Sequence, residues 1–527
     1  MSPPKSAAER VAQEDLVLFI NACFACSGQS EFYGGSESQS VSIRFLHEYI
    51  LGNYRRLYAR TLVAGVNHFN QTLIIQNLLS AGAPTDAAQR QEEGQLILAA
   101  LLGLPPQRVY HLFSELRQRR VNNRRTRAIV RTFLLRRRDL SFDAVKYRAP
   151  LRAAAAHAHL KLPGEVGAFL FAARQQRGGF VTPLFESFRR AHYSAEAVYD
   201  LPYTIAAGLA RKHRIPEDVF LSQIQARMTA SEKLRLLAKT ERAGATPIDF
   251  DLSRAPLTKL CLYILRYSLD ERRARGGEFV TALRGAAERA LGHGPQRRRL
   301  GRVAAILDRS FSASGSQEKR RRPLAVALAA SQILRAASRE YRAFWTPALP
   351  LPLDAQAGGG AASASPGMVT VEQELCVQAQ GQTALGEPLL AALASRPELI
   401  VIVSDGFEND PPGVCQSIAA WFRQQIDPRR STAIVHANPV FDSDRFMPRA
   451  LGPAIATMGL RDAEDLLTML GFARFADGSA PLSELEQYLA ERLPQVLARL
   501  PSEPATSSDR VPAAEAGAHA PPHEELA

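Results

Sequence analysis

The chain has 527 residues, of which 46% are hydrophobic and 22% charged, and its formal net charge is +13. These proportions are ordinary for a soluble globular protein, and a chain of this length is expected to form two or three domains with a large core. The excess of Lys and Arg favours an anionic partner, nucleic acid ahead of a membrane. The alternative is a basic surface that only maintains solubility.

Five cysteines in so long a chain indicate no disulfide framework. Cys23 and Cys26 have no second CxxC or close His pair to complete a zinc site. The start, MSPPKSAAERVAQED, lacks the apolar segment of a secretory signal, and no run of 18 apolar residues occurs. We therefore expect a cytoplasmic protein that does not span a membrane.

Residues 11–290 are predicted to be helical almost throughout. Apolar residues recur at spacings of three and four, as in Leu73, Ile74, Leu78 and Leu79, and the Pro- and Gly-containing segments SAGAPTD and LGLPPQ separate helices. Antiparallel helix pairs in a superhelical array are the simplest all-α architecture. Because no strict sequence period is present, the repeat is inferred from helix spacing alone.

A different pattern begins near residue 300. The apolar runs VAAIL (303–307), LIVIVS (399–404) and TAIVHA (432–437) are typical of buried parallel strands, with amphipathic helices predicted at 324–338 and 387–394. This alternation predicts a doubly wound α/β domain, which binds ligands at the carboxyl ends of its strands. The predicted domains are 1–299 and 300–500, with a flexible insertion at 354–367 and a disordered acidic tail at 501–527.

Oxygen-bearing side chains follow the strands of this predicted domain. The first strand leads directly into Asp308, Ser310 and Ser312, a D-x-S-x-S motif; Thr383 lies on a second loop, and Asp405 follows LIVIVS. Alternate positions on a short loop direct a carboxylate and two hydroxyls towards one point, and Mg²⁺ prefers such hard oxygen ligands. The motif alone is equally compatible with a helix N-cap, but the three loops together predict one Mg²⁺ site.

The pattern of Asp308, Ser310, Ser312, Thr383 and Asp405 resembles the metal-ion-dependent adhesion site of von Willebrand factor A domains. Most of those domains carry a small residue in the middle of the motif, where this chain has Phe311. The resemblance implies an ion that leaves one coordination position open for an acidic group of a protein partner and that is not catalytic. A metal-dependent hydrolase is the alternative, with Glu408 or Asp410 as general base.

The most basic part of the chain is residues 108–152, which contain 14 Lys or Arg and three acidic residues. Such a density of positive charge is typical of phosphate binding, and the planar fork of Arg donates two hydrogen bonds to one phosphate. Solvated arginines on a helix face are the alternative. Tyr110, Phe113 and Tyr147 are candidates for stacking on bases or for core packing, and core packing is favoured for Phe113.

Within this stretch, VYHLFSELRQRR, RRTRAIVRTFLLRRRDLSFDAVKYR and RAAAAHAHLK resemble the TROVE domain of the Ro family of RNA-binding proteins. In that family a Lys-Tyr-Arg triplet, here Lys146-Tyr147-Arg148, precedes a helix that ends in His-Pro-Lys, here His159-Leu160-Lys161. This chain lacks the Gly-Trp-Ser-His turn between the two. SGQSEFYGG (27–35) is similar to the family's entry loop. Ro proteins also place a helical-repeat domain before a von Willebrand factor A-like domain.

The resemblance implies a HEAT-like helical-repeat domain that closes into a ring with the α/β domain. Such a ring admits unpaired RNA 3′ ends to a basic hole and binds small structured noncoding RNA on its outer face. The predicted function is therefore non-enzymatic RNA binding, in RNA quality control or in a ribonucleoprotein complex. The predicted RNA-binding residues are Arg117, Arg120, Arg124, Arg125, Arg127, Arg131, Lys146, Arg148, His159 and Lys161.

The alternative function is a metal-dependent adaptor that binds a protein partner, such as an AAA+ ATPase. The chain has no Walker motif, so it is not expected to be the ATPase itself. An adaptor of this kind has no need of the basic helical stretch, which is why RNA binding is preferred.

Overall fold

The computed structural model describes residues 6–171, 179–243, 248–292, 300–349, 367–476 and 481–498. The predicted tail at 501–527, and all but the last residue of the predicted insertion at 354–367, lie outside these ranges. Within them, helices precede the first strand, and strands then alternate with helices. The predicted order, helical first and α/β second, is confirmed.

The first part of the chain, here called the helical region (residues 6–292), contains only helices and connecting segments within the described ranges. None of the described helices is long and apolar enough to cross a bilayer. The α-helices are α1 (Ala7–Ala25), α2 (Ser36–Arg60), α3 (His68–Ser80), α4 (Ala87–Gly103), α5 (Pro106–Gln118), α6 (Arg124–Leu135), α7 (Leu140–Lys146), α8 (Arg148–His157), α9 (Gly164–Phe171), α10 (Pro183–Arg190), α11 (Tyr203–Lys212), α12 (Glu217–Ile224), α13 (Ala230–Ala243), α14 (Leu257–Ile264), α15 (Leu269–Ala274) and α16 (Gly276–Ala290).

These helices begin where the sequence supplies capping residues. The side chains of Asn67, Asp86 and Asn123 each accept a hydrogen bond from the backbone amide three residues ahead, at the starts of α3, α4 and α6. Pro106 occupies the first position of α5, where its missing amide donor costs nothing. The segments SAGAPTD and LGLPPQ therefore separate helices as predicted.

The second part, the α/β region (residues 300–498), is built on a five-stranded parallel sheet in the order β2-β1-β3-β4-β5. Helices connect the strands and extend beyond the last of them. The elements in chain order are β1 (Leu300–Asp308), α17 (Arg322–Ala337), β2 (Ser338–Thr346), α18 (Val371–Glu374), α19 (Gly386–Ala394), β3 (Leu399–Val403), α20 (Val414–Gln425), β4 (Ala433–Asn438), β5 (Ala456–Gly459), α21 (Leu466–Ala476) and α22 (Leu482–Leu497).

Both faces of this sheet are buried, as the continuous apolar strands predict. Val303 and Leu307 of β1 face a core shared with α17 and the helical region, whereas Ala304 and Ile306 face a second core formed with α19 and α20. The three predicted strands are confirmed within β1, β3 and β4. The two edge strands, β2 and β5, are additional to the prediction.

The helical region contacts the α/β region near both of its ends. At its start, α1 packs against β5, and the Asn21 amide donates to the Thr457 carbonyl at 3.1 Å. At its end, α14 and α16 pack against α17, and the buried Arg272 guanidinium donates to the carbonyls of Leu375 and Val377 at 2.8 Å each. The first helix and the last helices of the helical region therefore both pack against the α/β region.

Candidate functional site

The five residues predicted to hold a metal ion lie together at the carboxyl edge of the sheet. Because β1 and β3 are parallel neighbours, the loops that carry Asp308 and Asp405 meet at this edge. The loop before α19 joins them, since the Phe311 amide donates to the Gly381 carbonyl at 2.9 Å. The buried side chains in this group are Asp308, Ser310, Ser312, Thr383 and Asp405.

Hydrogen bonds connect these side chains. The Ser310 amide donates to the Asp308 carboxylate at 2.7 Å, and the hydroxyl oxygens of Ser310 and Ser312 are 3.1 Å apart. Thr383 lies close enough to Asp308, and Ser312 to Asp405, for each side chain to oppose the effect of burial by lowering the pKa of its neighbouring carboxylate. The fold thus brings the five predicted oxygen donors together, while metal binding by them stays a prediction.

Two carboxylates face each other in this buried group. Burial, and after it the charge of Asp405, raises the pKa of Asp308 to about 7, and burial also raises the pKa of Asp405. Among the described residues, Oδ2 of Asp405 has no hydrogen-bond partner although it is buried. A divalent cation would neutralise the two carboxylates and give this oxygen a partner. Two carboxylates and three hydroxyls form a hard donor set that fits Mg²⁺.

A small cavity adjoins the two carboxylates. A cavity of about 10 Å³ is lined in part by Asp308, Ser312 and Asp405, and it accommodates one particle of the size of a water molecule. Across the described ranges, no group of three or more His, Cys, Asp or Glu side chains is placed to hold a metal ion. At this centre the hydroxyls must therefore supply the remaining protein ligands.

The two larger residues of the D-x-S-x-S motif have different surroundings. The buried Arg309 guanidinium donates to the carbonyls of Pro347, Ala348 and Gln378 at 2.7, 2.7 and 3.1 Å. The Phe311 side chain is 66% exposed. Arg309 therefore holds the loop of the candidate ligands against the neighbouring loops through hydrogen bonds to their carbonyl groups.

The acidic loop after β3 positions the centre. The carboxylate of Glu408 accepts hydrogen bonds from the amides of Leu385 and Cys415, which lie at the starts of α19 and α20. The Asn409 side chain accepts a hydrogen bond from the Thr383 amide at 2.9 Å and so fixes the loop of this candidate ligand. Sequence reasoning considered Glu408 only as a base and missed Asn409, because their contacts depend on how the loops pack.

Most of the predicted RNA-binding residues belong to the last turn of α5, to α6 and to the segments after α5 and α8, and both α5 and α6 pack against α8. Arg131 donates to the His159 carbonyl at 3.5 Å, and Arg117 lies near enough to His157 to lower its pKa further after the effect of burial. We call this surface the basic face, and its exposed or partly exposed members are Arg117, Arg120, Arg124, Arg127, Arg131, His159 and Lys161.

Two predicted residues are instead held by the protein. Arg125 is ion-paired at 2.7 Å with the buried carboxylate of Glu93 on α4. Arg148 lies over the Phe169 ring, 5.0 Å from its centroid, and donates to the Phe169 carbonyl at 3.1 Å. Both guanidinium groups join neighbouring helices, so less of each is available to RNA than the sequence alone indicates.

Lys146 lines a cavity of about 840 Å³ between α3, α5, α8 and α11. Arg108, His111 and Tyr147 also line this cavity, so it contains both basic side chains and an aromatic ring. Lys146 is also 3.6 Å from the Glu232 carboxylate. Phe113, which also belongs to α5, is buried in the core as predicted.

Positive charges from three parts of the chain lie near His68, and one of them, Arg108, also lines this cavity. Arg108 lies in the first turn of α5, Lys259 on α14, and Arg461 just after β5 in the α/β region. Partial burial and the charges of these three residues lower the pKa of His68, at the start of α3, and the charge of Asp462 opposes them. We call these four residues the inner cluster. Sequence reasoning did not identify it, because only the fold brings such distant segments together.

Comparison with solved structures identifies a protein of the same fold. The crystal structure of the Deinococcus radiodurans RO (RSR) protein matches this chain with a TM-score of 0.52 and 15% sequence identity. The match covers 89% of this chain and 100% of that one. The predicted resemblance to Ro proteins is therefore confirmed at the level of the fold. Neither the family models nor the curated proteins gave a match.

Proposed function

We propose that this chain, which has the fold of a Ro protein, is a non-enzymatic RNA-binding protein of the same type. In this proposal the basic face binds small structured noncoding RNA, and the cavity beside the inner cluster receives unpaired RNA 3′ ends. The protein would act in RNA quality control or in a ribonucleoprotein complex. The observation that carries the proposal is the concentration of exposed cations on the basic face.

Phosphate chemistry supports the role of the basic face. Its arginines lie at the end of α5, just after it and along α6, and most of them are exposed to solvent, where a polyanion can reach them. Contacts between such side chains and phosphates release counterions and are independent of sequence. A surface of this kind suits RNAs that share a shape and differ in sequence.

The chemistry of the cavity supports the role of unpaired ends. Arg108 and Lys146 offer charge to phosphates, and Tyr147 offers a ring on which a base can stack. An A-form duplex is far wider than a single strand, so a passage closed by the α/β region would admit only an unpaired end. Contacts between the α/β region and both ends of the helical region are consistent with such a ring.

The metal centre has a separate role in this proposal. Asp308, Ser310, Ser312, Thr383 and Asp405 would hold one Mg²⁺, and an acidic group of a protein partner would complete its coordination. No catalytic step is proposed, because Glu408, the carboxylate nearest to Asp405 in the following loop, is engaged by backbone amides.

A comparison of tailed and blunt RNA tests the proposal. We expect an RNA hairpin with an unpaired 3′ tail to bind at least about tenfold more tightly than the same hairpin without it, because stacking adds about 1–3 kcal/mol per base. The double variant Arg108→Ala, Lys146→Gln should lose this preference and keep its affinity for the blunt hairpin. Fluorescence anisotropy with labelled RNA measures both affinities.

The matched control removes two positive charges elsewhere. Arg339→Ala with Arg429→Ala changes exposed arginines of the α/β region away from the basic face and the cavity, and this variant should retain the preference for the tail. Equal affinity of the unmodified protein for tailed and blunt RNA would exclude the cavity as a site for RNA ends.

A further inference from the structure

A loop of the helical region lies against the loop that carries two of the candidate metal ligands. This docking loop, residues 27–35, follows α1. The Ser30 amide donates to the Glu318 carboxylate at 2.9 Å, and the Ser316 hydroxyl donates to the Ser30 carbonyl at 2.8 Å. Glu31 forms an ion pair with Lys319, and both side chains are buried. The docking loop is thus held by residues that follow Ser312 closely in the chain.

Aromatic residues of the docking loop reach the metal centre itself. The centroid of the Tyr33 ring lies 4.4 Å from that of the Phe407 ring, two residues after Asp405, and burial, followed by the nearby charge of Asp405, raises the pKa of Tyr33. Tyr33 and Asp405 also line one pocket of about 190 Å³. One side of the metal centre is therefore built by the helical region.

We propose that Mg²⁺ binding and docking of residues 27–35 are coupled, so that the metal centre latches the start of the helical region onto the α/β region. The inference rests on the metal centre of the proposed function and adds Tyr33, Glu31 and Lys319 as residues that position it. Residues 310–319 carry two candidate ligands, Ser310 and Ser312, and also the residues that contact the docking loop. The same conformation of this segment therefore places the ligands and forms the docking contacts.

Thermodynamic linkage makes the coupling reciprocal. If docking holds Ser312 where the ion needs it, the ion must hold the docking loop by the same factor. Couplings of this kind are typically about 5- to 150-fold in affinity, and we expect about tenfold here. A second contact between the regions, at Arg272 and at Thr258 with Glu464, is far from residues 27–35 in the chain and should not respond.

Titration calorimetry with MgCl₂ on full-length variants tests the latch. Glu31→Gln with Lys319→Met removes both charges of the buried pair, so that neither is left unpaired, and changes no ligand. We expect Mg²⁺ to bind this variant about tenfold more weakly. Tyr33→Phe, which removes one hydroxyl, should weaken binding by a smaller factor. Thr258→Val with Glu464→Gln is the matched control at the other contact and should bind Mg²⁺ normally.

Hydrogen exchange on the unmodified protein provides a test that needs no variant. Amides of residues 27–35 should exchange more slowly in MgCl₂ than in EDTA, with little change around Thr258. If Mg²⁺ binds the unmodified protein, equal affinity in the Glu31, Lys319 variant and unchanged exchange at 27–35 would overturn the latch alone. If the unmodified protein binds no Mg²⁺, the latch and the metal centre both fail.

Discussion

Asp308→Asn is expected to abolish the stabilisation of the protein by Mg²⁺. Asp308 supplies one of two carboxylates in a donor set completed by hydroxyls, so its loss removes half of the ligand charge at the centre. At a Mg²⁺ concentration one hundred times the Kd, the unmodified protein should gain about 2.7 kcal/mol in the free energy of unfolding, and the variant none. Differential scanning fluorimetry in MgCl₂ and in EDTA measures the shift in Tm.

In the absence of the ion, the same substitution should not lower the thermal stability of the protein. In EDTA, Asp308 and Asp405 oppose each other's ionisation in a buried site, so Asn at position 308 relieves the repulsion. We therefore expect Asp308→Asn to match or exceed the unmodified protein in Tm when EDTA is present. Asp410→Asn, in the exposed acidic loop, is the control and should respond to Mg²⁺ normally. A Mg²⁺ response that survives in Asp308→Asn would refute the assigned centre.

Reversing the charge of the basic face is expected to weaken binding of all RNAs alike. The variant Arg117→Glu, Arg124→Glu, Arg131→Glu places three anions where the proposal needs cations. If each arginine contacts one phosphate, the slope of log affinity against log salt should fall by about 2 to 3, and affinity by roughly a hundredfold near physiological salt. Filter binding of several unrelated structured RNAs over a salt series gives both quantities.

The control for this experiment reverses the same number of charges elsewhere. Arg10, Arg339 and Arg429 are exposed and lie outside the basic face. Their replacement by Glu should lower affinity for RNA only through the change in net charge. The slope of log affinity against log salt should stay close to that of the unmodified protein. An unchanged slope in the basic-face variant would favour the adaptor function, which has no need of phosphate contacts.

The α/β region was largely predictable because its strongest signals are local. Buried parallel strands are continuous apolar runs, and each of the three predicted runs became one of the central strands. The position of the candidate metal ligands was predictable for the same reason, since Asp308 and Asp405 come at or just after the ends of adjacent strands. By contrast, β5 is four residues long and β2 carries exposed and half-buried residues in its first half, so neither stands out as an apolar run.

The helical region shows where sequence reasoning stops. Charge density located the basic face, but it could not separate exposed arginines from Arg125, whose partner Glu93 lies on another helix. It also could not assemble the inner cluster, because Arg108, Lys259 and Arg461 come from segments more than a hundred residues apart. Pairing between helices and closure of the helical region onto the α/β region are tertiary properties with no local signature.

The most direct test of the central claim, RNA binding, is photocrosslinking followed by peptide mapping. The full-length protein would be purified at low salt, with any bound nucleic acid retained, and then crosslinked to an RNA hairpin with an unpaired 3′ tail. We predict that RNA copurifies with the protein and that crosslinked peptides fall within residues 108–161. Purification free of RNA, together with no crosslink in residues 108–161, would contradict the account.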